Sequence, residues 1–348
     1  MKKYFLYELK QARWQLVIIS AIFTIVCATI AGVIPMQMEW EDYSGAIQVT
    51  KYSPISWLPV VMLTIMCYVA PAMSYSFKMD KRSVDCYYAL PLKKTKLYFI
   101  KTMVGLLRVL IPFTAAFWTM FLVYMVRPDN PYQMAWFVPA YFGALFFGVC
   151  LYGYNAFAFT RANSTPDGIV FMIVYSFVMV LVAFVSFTLS KGELFHAKYL
   201  LNFVAQWDGI FYAIYMEEMM LGQSIMNMEM NFMNFLMPLL RGAAGYALLF
   251  SLLRYEKAED SQQVCESWFG YKTLIPICAT TIIGLVIGLL IEVSLTVSVI
   301  LFVMMSVVAF VLTIVWRRKF TFGGKGWIVL GSGLGGALTL AILVAIVL

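Results

Sequence analysis

Residues 16–35 read LVIISAIFTIVCATIAGVIP, twenty positions without a charged side chain. At 1.5 Å per residue a helix of that length spans about 30 Å, the thickness of a bilayer's hydrocarbon core. The run is bounded by Arg13 on one side and by the acidic stretch Glu39, Glu41 and Asp42 on the other. Such a segment in water would expose far more apolar surface than a soluble fold can hide. In lipid it must be helical, because an isolated strand would leave its amides unpaired. A basic start followed by an apolar run also describes a secretory leader. No small-residue cleavage site follows Pro35, however, and the run is longer than a leader's apolar core, so a retained anchor is expected.

The rest of the chain repeats this pattern. Of 348 residues, 62% are hydrophobic and only 12% charged, against roughly 45–50% and about 25% in soluble domains. Apolar runs at 55–77, 102–126, 136–159, 168–190, 232–253, 273–291, 296–316 and 327–348 bring the expected spans to nine. The fold class that follows is an all-α integral membrane protein, a polytopic helical bundle of about nine transmembrane helices. Composition of this kind excludes a secreted disulfide scaffold and a nucleic-acid binder. The lipid bilayer is its first partner.

Basic residues orient the spans. The segments 1–13, 78–101, 160–167, 254–272 and 317–326 together carry 19 of the 25 Lys and Arg, whereas the alternate segments carry 4. Cytoplasmic loops are the ones enriched in Lys and Arg, so the N-terminus is expected in the cytoplasm and, after nine spans, the C-terminus outside. The net charge of +7 follows from this bias and requires no acidic ligand. Within 1–13, Phe5, Leu6 and Leu9 share one helical face, with Lys3 and Lys10 within reach of phosphates. That pattern predicts a short amphipathic helix lying in the inner interface. Three regions result: that interfacial helix over 1–13, a six-span core over 14–253, and a cytoplasmic loop with three further spans over 254–348.

Catalytic constellations are not legible. The single histidine, His196, falls in an expected external loop, so neither a His-pair metal site nor a carboxylate–His relay is expected. Gly323, Gly324, Lys325 and Gly326 lack the first glycine and the hydroxyl residue of a phosphate-binding loop. Neither a metal nor a cofactor is expected in this chain, and no enzymatic activity. The six cysteines include no CxxC pair and none falls in an expected external loop, so all read as unbridged thiols.

Charge inside the spans is sparse. Arg108 lies seven residues past Lys101 and is expected to snorkel to the inner interface. Arg241 lies deeper; it can serve packing or line a substrate path, and the sequence leaves both open. Gly284 and Gly288, and Gly331 and Gly335, form small-xxx-small pairs that suit close helix packing. Pro71 and Pro112 interrupt the hydrogen-bond ladders of spans two and three. In 191–231, Met216, Met219, Met220, Met226, Met228 and Met230 cluster with aromatic residues. Thioethers suit Cu(I), but no cysteine or neighbouring histidine joins them, and an apolar surface along the outer interface explains the same residues.

The segment 78–101 is the most informative loop. Lys78, Asp80, Lys81, Arg82 and Asp85 lead into Tyr87, Tyr88, Ala89, Leu90, Pro91 and Leu92, followed by Lys93, Lys94, Thr95 and Lys96. Charged flanks around an apolar centre predict a short helix that docks on a soluble partner, and Pro91 ends it.

This arrangement resembles the first cytoplasmic loop of bacterial ABC-2-type transporter permeases, which show a basic-acidic start, an aromatic or aliphatic stretch, Leu-Pro, and then basic residues. Here those are Lys81 to Asp85, Tyr87 to Ala89, Leu90-Pro91 and Lys93 to Lys96. Arg254, Tyr255, Glu256, Lys257, Glu259 and Asp260 look like the Arg-Lys-x-Glu stretch after the sixth span in one branch of that family. The resemblance implies a permease in the bacterial cell membrane, paired with a second permease. Each half is seated on a separately encoded P-loop ATPase that supplies ATP and Mg chemistry. In that setting Asp85, Tyr87, Tyr88, Leu90, Pro91, Lys93 and Lys94 are the coupling residues, and 1–13 is the elbow helix. The implied cargo is amphipathic: a drug, a peptide or a lipid-like compound. The alternative is a non-transporting scaffold or sensor whose cytoplasmic loops recruit a signalling protein.

Overall fold

The computed structural model describes residues 2–33, 37–43, 46–52, 58–127, 135, 137–176, 232–256, 258–263, 265 and 269–274, together with 324, 327, 328 and 331. They are mostly helical. In chain order come α1 (Lys2–Val33), strands β1 (Gln37–Tyr43) and β2 (Ala46–Tyr52), α2 (Leu58–Tyr75) and a 3₁₀ turn at Ser76–Met79. Then follow α3 (Lys81–Tyr88), α4 (Lys94–Val126), α5 (Phe137–Thr160), α6 over 165–176, and α7 (Phe232–Ser251). Two further 3₁₀ turns follow at Leu252–Tyr255 and Ala258–Asp260.

Among the described residues, four helices are long and apolar enough to cross a membrane: α1, α2 with its 3₁₀ extension to Met79, α4 and α5. They coincide with the first four expected spans. The expected span at 296–316, nearly all of those at 273–291 and 327–348, and the Met-rich segment 191–231 lie outside the described residues. So do Gly284, Gly288, Gly335 and His196.

Two expectations about the beginning of the chain are corrected. The amphipathic stretch 1–13 is not a separate helix along the interface but the first three turns of α1, which runs unbroken for 32 residues. No Gly or Pro occurs before Gly32, so nothing in the sequence breaks it. The all-helical expectation is also modified. After α1 the chain forms an antiparallel hairpin, with Tyr43 opposite Ala46 and Gln37 opposite Tyr52. Only Ser44 and Gly45 separate the strands, and a two-residue link containing Gly is a favoured hairpin connection.

The chain divides into two compact units. The first contains residues 1–74, 93–153 and 207–232; the second contains 75–92, 154–206 and 233–348.

In the first unit α1 and α4 pack side by side. Ala12 and Leu16 meet Ile100 and Val104 in a buried cluster, with Tyr4, Phe5 and Leu9 against it. The expected lipid-facing residues Phe5 and Leu9 are therefore occupied by helix packing, while Leu6 is exposed. Glu8 pairs with Lys101 at 2.9 Å, and twenty-three residues further along α1 the carbonyl of Ala31 accepts from Arg127 just past the end of α4 at 2.5 Å. The pairings advance together along both helices, so α1 and α4 are parallel and begin at the same end. That is the arrangement expected when α2 returns the chain between them.

Aromatic packing joins α4 to α5. Phe113 stacks on Tyr141, with ring centroids 5.9 Å apart and planes 4° from parallel, and Tyr141 Oη lies 3.0 Å from Thr114 Oγ1. Phe117 and Phe121 reach Phe137 from the same helix. Lipid tails give helices no hydrophobic reason to associate, so close fit must hold them. Gly148 lies against Leu63 so closely that a Cβ there would sit 2.9 Å from a leucine methyl. At Gly105 a Cβ would overlap the Tyr152 hydroxyl and lie 2.7 Å from Ser74 Oγ. Beside it, buried Arg108 donates to Ser74 at 3.2 Å. Arg108 is thus held between helices rather than snorkelling to the interface.

Candidate functional site

Most of the expected coupling loop belongs to the second unit and is built around α3. Asp80 has extended backbone geometry and caps the helix: its carboxylate accepts from the Ser83 amide at 3.1 Å and the Ser83 hydroxyl at 2.8 Å. This satisfies a donor that every helix start leaves unpaired. The two bonds from Ser83, side chain first, hold the Asp80 carboxyl below its usual range. At the other end Ala89 closes on Asp85, and the Leu92 amide donates to the Leu90 carbonyl at 2.7 Å around Pro91. A fixed proline φ suits such a three-residue turn. The helix therefore stops where the sequence places the break.

The faces of α3 differ in role. Val84 is fully buried, and Tyr87 packs its ring 4.7 Å from buried Phe77. Tyr88 and Leu90 are half-buried, so the chain itself covers part of the apolar centre. Lys81, Arg82, Asp85, Cys86 and Pro91 are exposed, and Lys93 and Lys94, at the start of α4, are exposed as well. On its inner side α3 rests against the 3₁₀ turn Ala258–Asp260.

Beneath α3 lies a buried ionic knot that the sequence did not single out. Glu256 Oε1 accepts from Lys78 Nζ at 3.0 Å and from Arg161 at 2.5 Å. Lys78 also donates to the carbonyl of Thr160, the last residue of α5. Two cations face one carboxylate, and the negative end of the α5 dipole helps to offset the excess charge. Cys265 Sγ donates to the Arg161 carbonyl at 3.0 Å, and the Gln262 amide to the Asn163 carbonyl at 2.8 Å. Gln262 adopts a φ of 63°, a left-handed backbone that a residue other than glycine seldom takes. Tyr271 donates to Asp167 at 2.8 Å.

These contacts tie together three segments distant in sequence: the end of α2, the turn between α5 and α6, and the stretch after α7. All three are segments that the basic-residue count assigns to one side. That assignment was the available signal. What it could not supply was the pairing, because Glu256 read only as part of a loosely matched acidic run.

Arg241 on α7 is buried, with its guanidinium 5.3 Å from the centroid of the Tyr154 ring. A desolvated cation over an aromatic face is favourable, which accounts for the residue structurally. Gly331 is exposed, and a Cβ there would meet nothing within 4 Å. Cys27, Cys67, Cys150 and Cys265 are buried thiols, while Cys86 is exposed on α3.

No known family matches. Neither the protein-family models, nor the curated proteins, nor the solved structures give a match to this chain.

Proposed function

We propose that this membrane protein is the permease subunit of an ATP-binding-cassette transporter of the ABC-2 type, moving an amphipathic substrate across or out of a bacterial cell membrane. The observation that carries the reading is α3 itself. It is a capped, proline-terminated helix between two membrane-spanning helices, anchored inward by Val84 and Tyr87 and charged on its exposed face. A helix of that form suits a coupling element seated in a groove of a soluble partner. The partner is a separately encoded P-loop ATPase, which would contribute ATP, Mg and hydrolysis, and a second permease would complete the pair.

The docking face consists of Lys81, Arg82 and Asp85, with Lys93 and Lys94 following in sequence. Force applied to α3 would reach the end of α2 and the turn after α5 through the Lys78–Glu256–Arg161 knot. Substrate would pass among the spans, with Arg241 a candidate for its path.

Purification from the native membrane tests the reading. A P-loop ATPase should co-elute, and Arg82→Glu combined with Asp85→Lys should abolish co-elution while leaving membrane insertion intact. Both side chains are exposed, so the fold is not at stake. A preparation free of ATPase from wild-type membranes, with the fold preserved, would overturn the permease reading.

A further inference from the structure

The outer face of α1, opposite its contact with α4, changes character at a single residue. Lys3, Tyr7, Lys10 and Trp14 succeed one another at intervals of four, three and four, which places them in one stripe along the helix. All four are exposed, as are Lys2 and Arg13. Beyond Trp14 the large exposed side chains are aliphatic, Val17, Ile18, Ile22 and Ile25 among them, and the exposed polar residues, Gln15 and Thr29, are uncharged. The one carboxylate in this stretch, Glu8, is buried against Lys101 on the opposite face. The charges on the exposed surface of the first three turns are therefore all cationic, with Tyr7 and Trp14 among them and Leu6 and Gln11 the uncharged remainder.

Length fixes the depth. From Trp14 to Val33 the helix rises about 30 Å, matching the hydrocarbon core. Trp14 then lies at the boundary between acyl chains and headgroups, where indole rings concentrate. Arg13 and Lys10 lie about 2 and 6 Å further out, within the headgroup layer of roughly 5–8 Å, whereas Lys2 and Lys3 lie beyond it. The Arg13 guanidinium is 5.5 Å from the Trp14 ring centroid, so the two side chains form one amphipathic surface.

We propose that Lys10 and Arg13, with Trp14 beneath them, form a binding site for the headgroup of an anionic phospholipid on the outer face of α1. Charge complementarity selects the occupant: two cations at phosphate depth, with no exposed carboxylate on α1 itself, favour a lipid of net negative charge over a zwitterionic one. Trp14 packs on the first methylenes of its chains. The site is independent of any ATPase partner and of transport.

Native mass spectrometry of the full-length protein in detergent, with phosphatidylglycerol and phosphatidylcholine in competition, tests the site. Wild type should retain phosphatidylglycerol preferentially, by a factor on the order of ten or more. Lys10→Gln with Arg13→Gln should bring retention close to parity, whereas Lys2→Gln with Lys3→Gln should keep the preference. In wild type alone, higher ionic strength should erode it, because exposed charges are screened. Equal retention of both lipids by wild type, a preference that survives the Lys10/Arg13 substitutions, or one indifferent to salt would each overturn the site.

Discussion

Lys78 and Glu256, 178 residues apart in the chain, meet at 3.0 Å in a buried ion pair, and the same carboxylate oxygen also accepts from Arg161. Through that oxygen the 3₁₀ turn that leads into α3 is bound to the end of α5 and to the stretch after α7. The position of α3 is thereby set by a long-range electrostatic contact as well as by its own packing.

The knot predicts an asymmetry between its members. Glu256→Gln leaves two buried cations facing each other without a carboxylate, and removing one partner of a buried pair costs about 3–5 kcal/mol. Lys78→Met leaves Glu256 and Arg161 matched one to one and should cost clearly less. Thermal unfolding followed by a thiol-reactive dye, which reads exposure of Cys265 and the other buried thiols, ranks the two variants. Equal loss in both would mean that charge balance is not what holds the segment.

The pair formed by Glu8 and Lys101 is equally buried. Glu8→Lys or Lys101→Glu alone should destabilise the packing of α1 on α4 by about 3–5 kcal/mol. The double exchange should recover much of that loss, because it restores opposite charges at one contact. The comparison of single and double variants by thermal unfolding is a double-mutant cycle; strict additivity would show that the pair contributes nothing.

Gly105 has no room for a methyl group. Its Cβ would overlap the Tyr152 hydroxyl, so Gly105→Ala should cost about 1–3 kcal/mol by overpacking. Tyr152→Phe in the same chain should recover part of that cost by removing the overlapping oxygen. Gly32→Ala, which meets nothing within 4 Å, is the control and should leave thermal stability essentially unchanged.

The cap on α3 has a defined pH dependence. Hydrogen bonds from Ser83 hold the Asp80 carboxyl below its usual value of 3.8. A depressed carboxylate contributes fully above its unfolded value, and that contribution is lost as pH falls through the folded one. Protection of the α3 amides from hydrogen exchange, corrected for intrinsic rates, should therefore be flat from neutrality down to about pH 5 and fall below about pH 4. Asp80→Ala should lower protection above about pH 5 to the level reached at low pH, and so remove the step.

Much of the loop was legible because its signals are local. Asp80 before a helical run, and Pro91 after Tyr87, Tyr88 and Leu90, fix the two ends of α3 through capping and through proline's missing amide. The apolar centre was only half legible. Tyr87 turned inward onto Phe77, and Tyr88 and Leu90 are partly covered, because the spacing of apolar residues states that a face will be buried but not against what.

The same division runs through the whole chain. The sequence by itself determined the membrane environment and the apolar stretches around which the four long helices form. It did so because the transfer of twenty apolar residues into lipid depends on composition and length alone. Only the tertiary structure decided that α1 continues through its basic start, that Phe5 and Leu9 face α4 and not lipid, and that Glu8 and Glu256 select Lys101, Lys78 and Arg161. Those outcomes depend on which helices are neighbours. A carboxylate removed from water must find a cation in space, and the nearest one in space lies 93 residues away in the chain for Glu8 and 95 for Glu256.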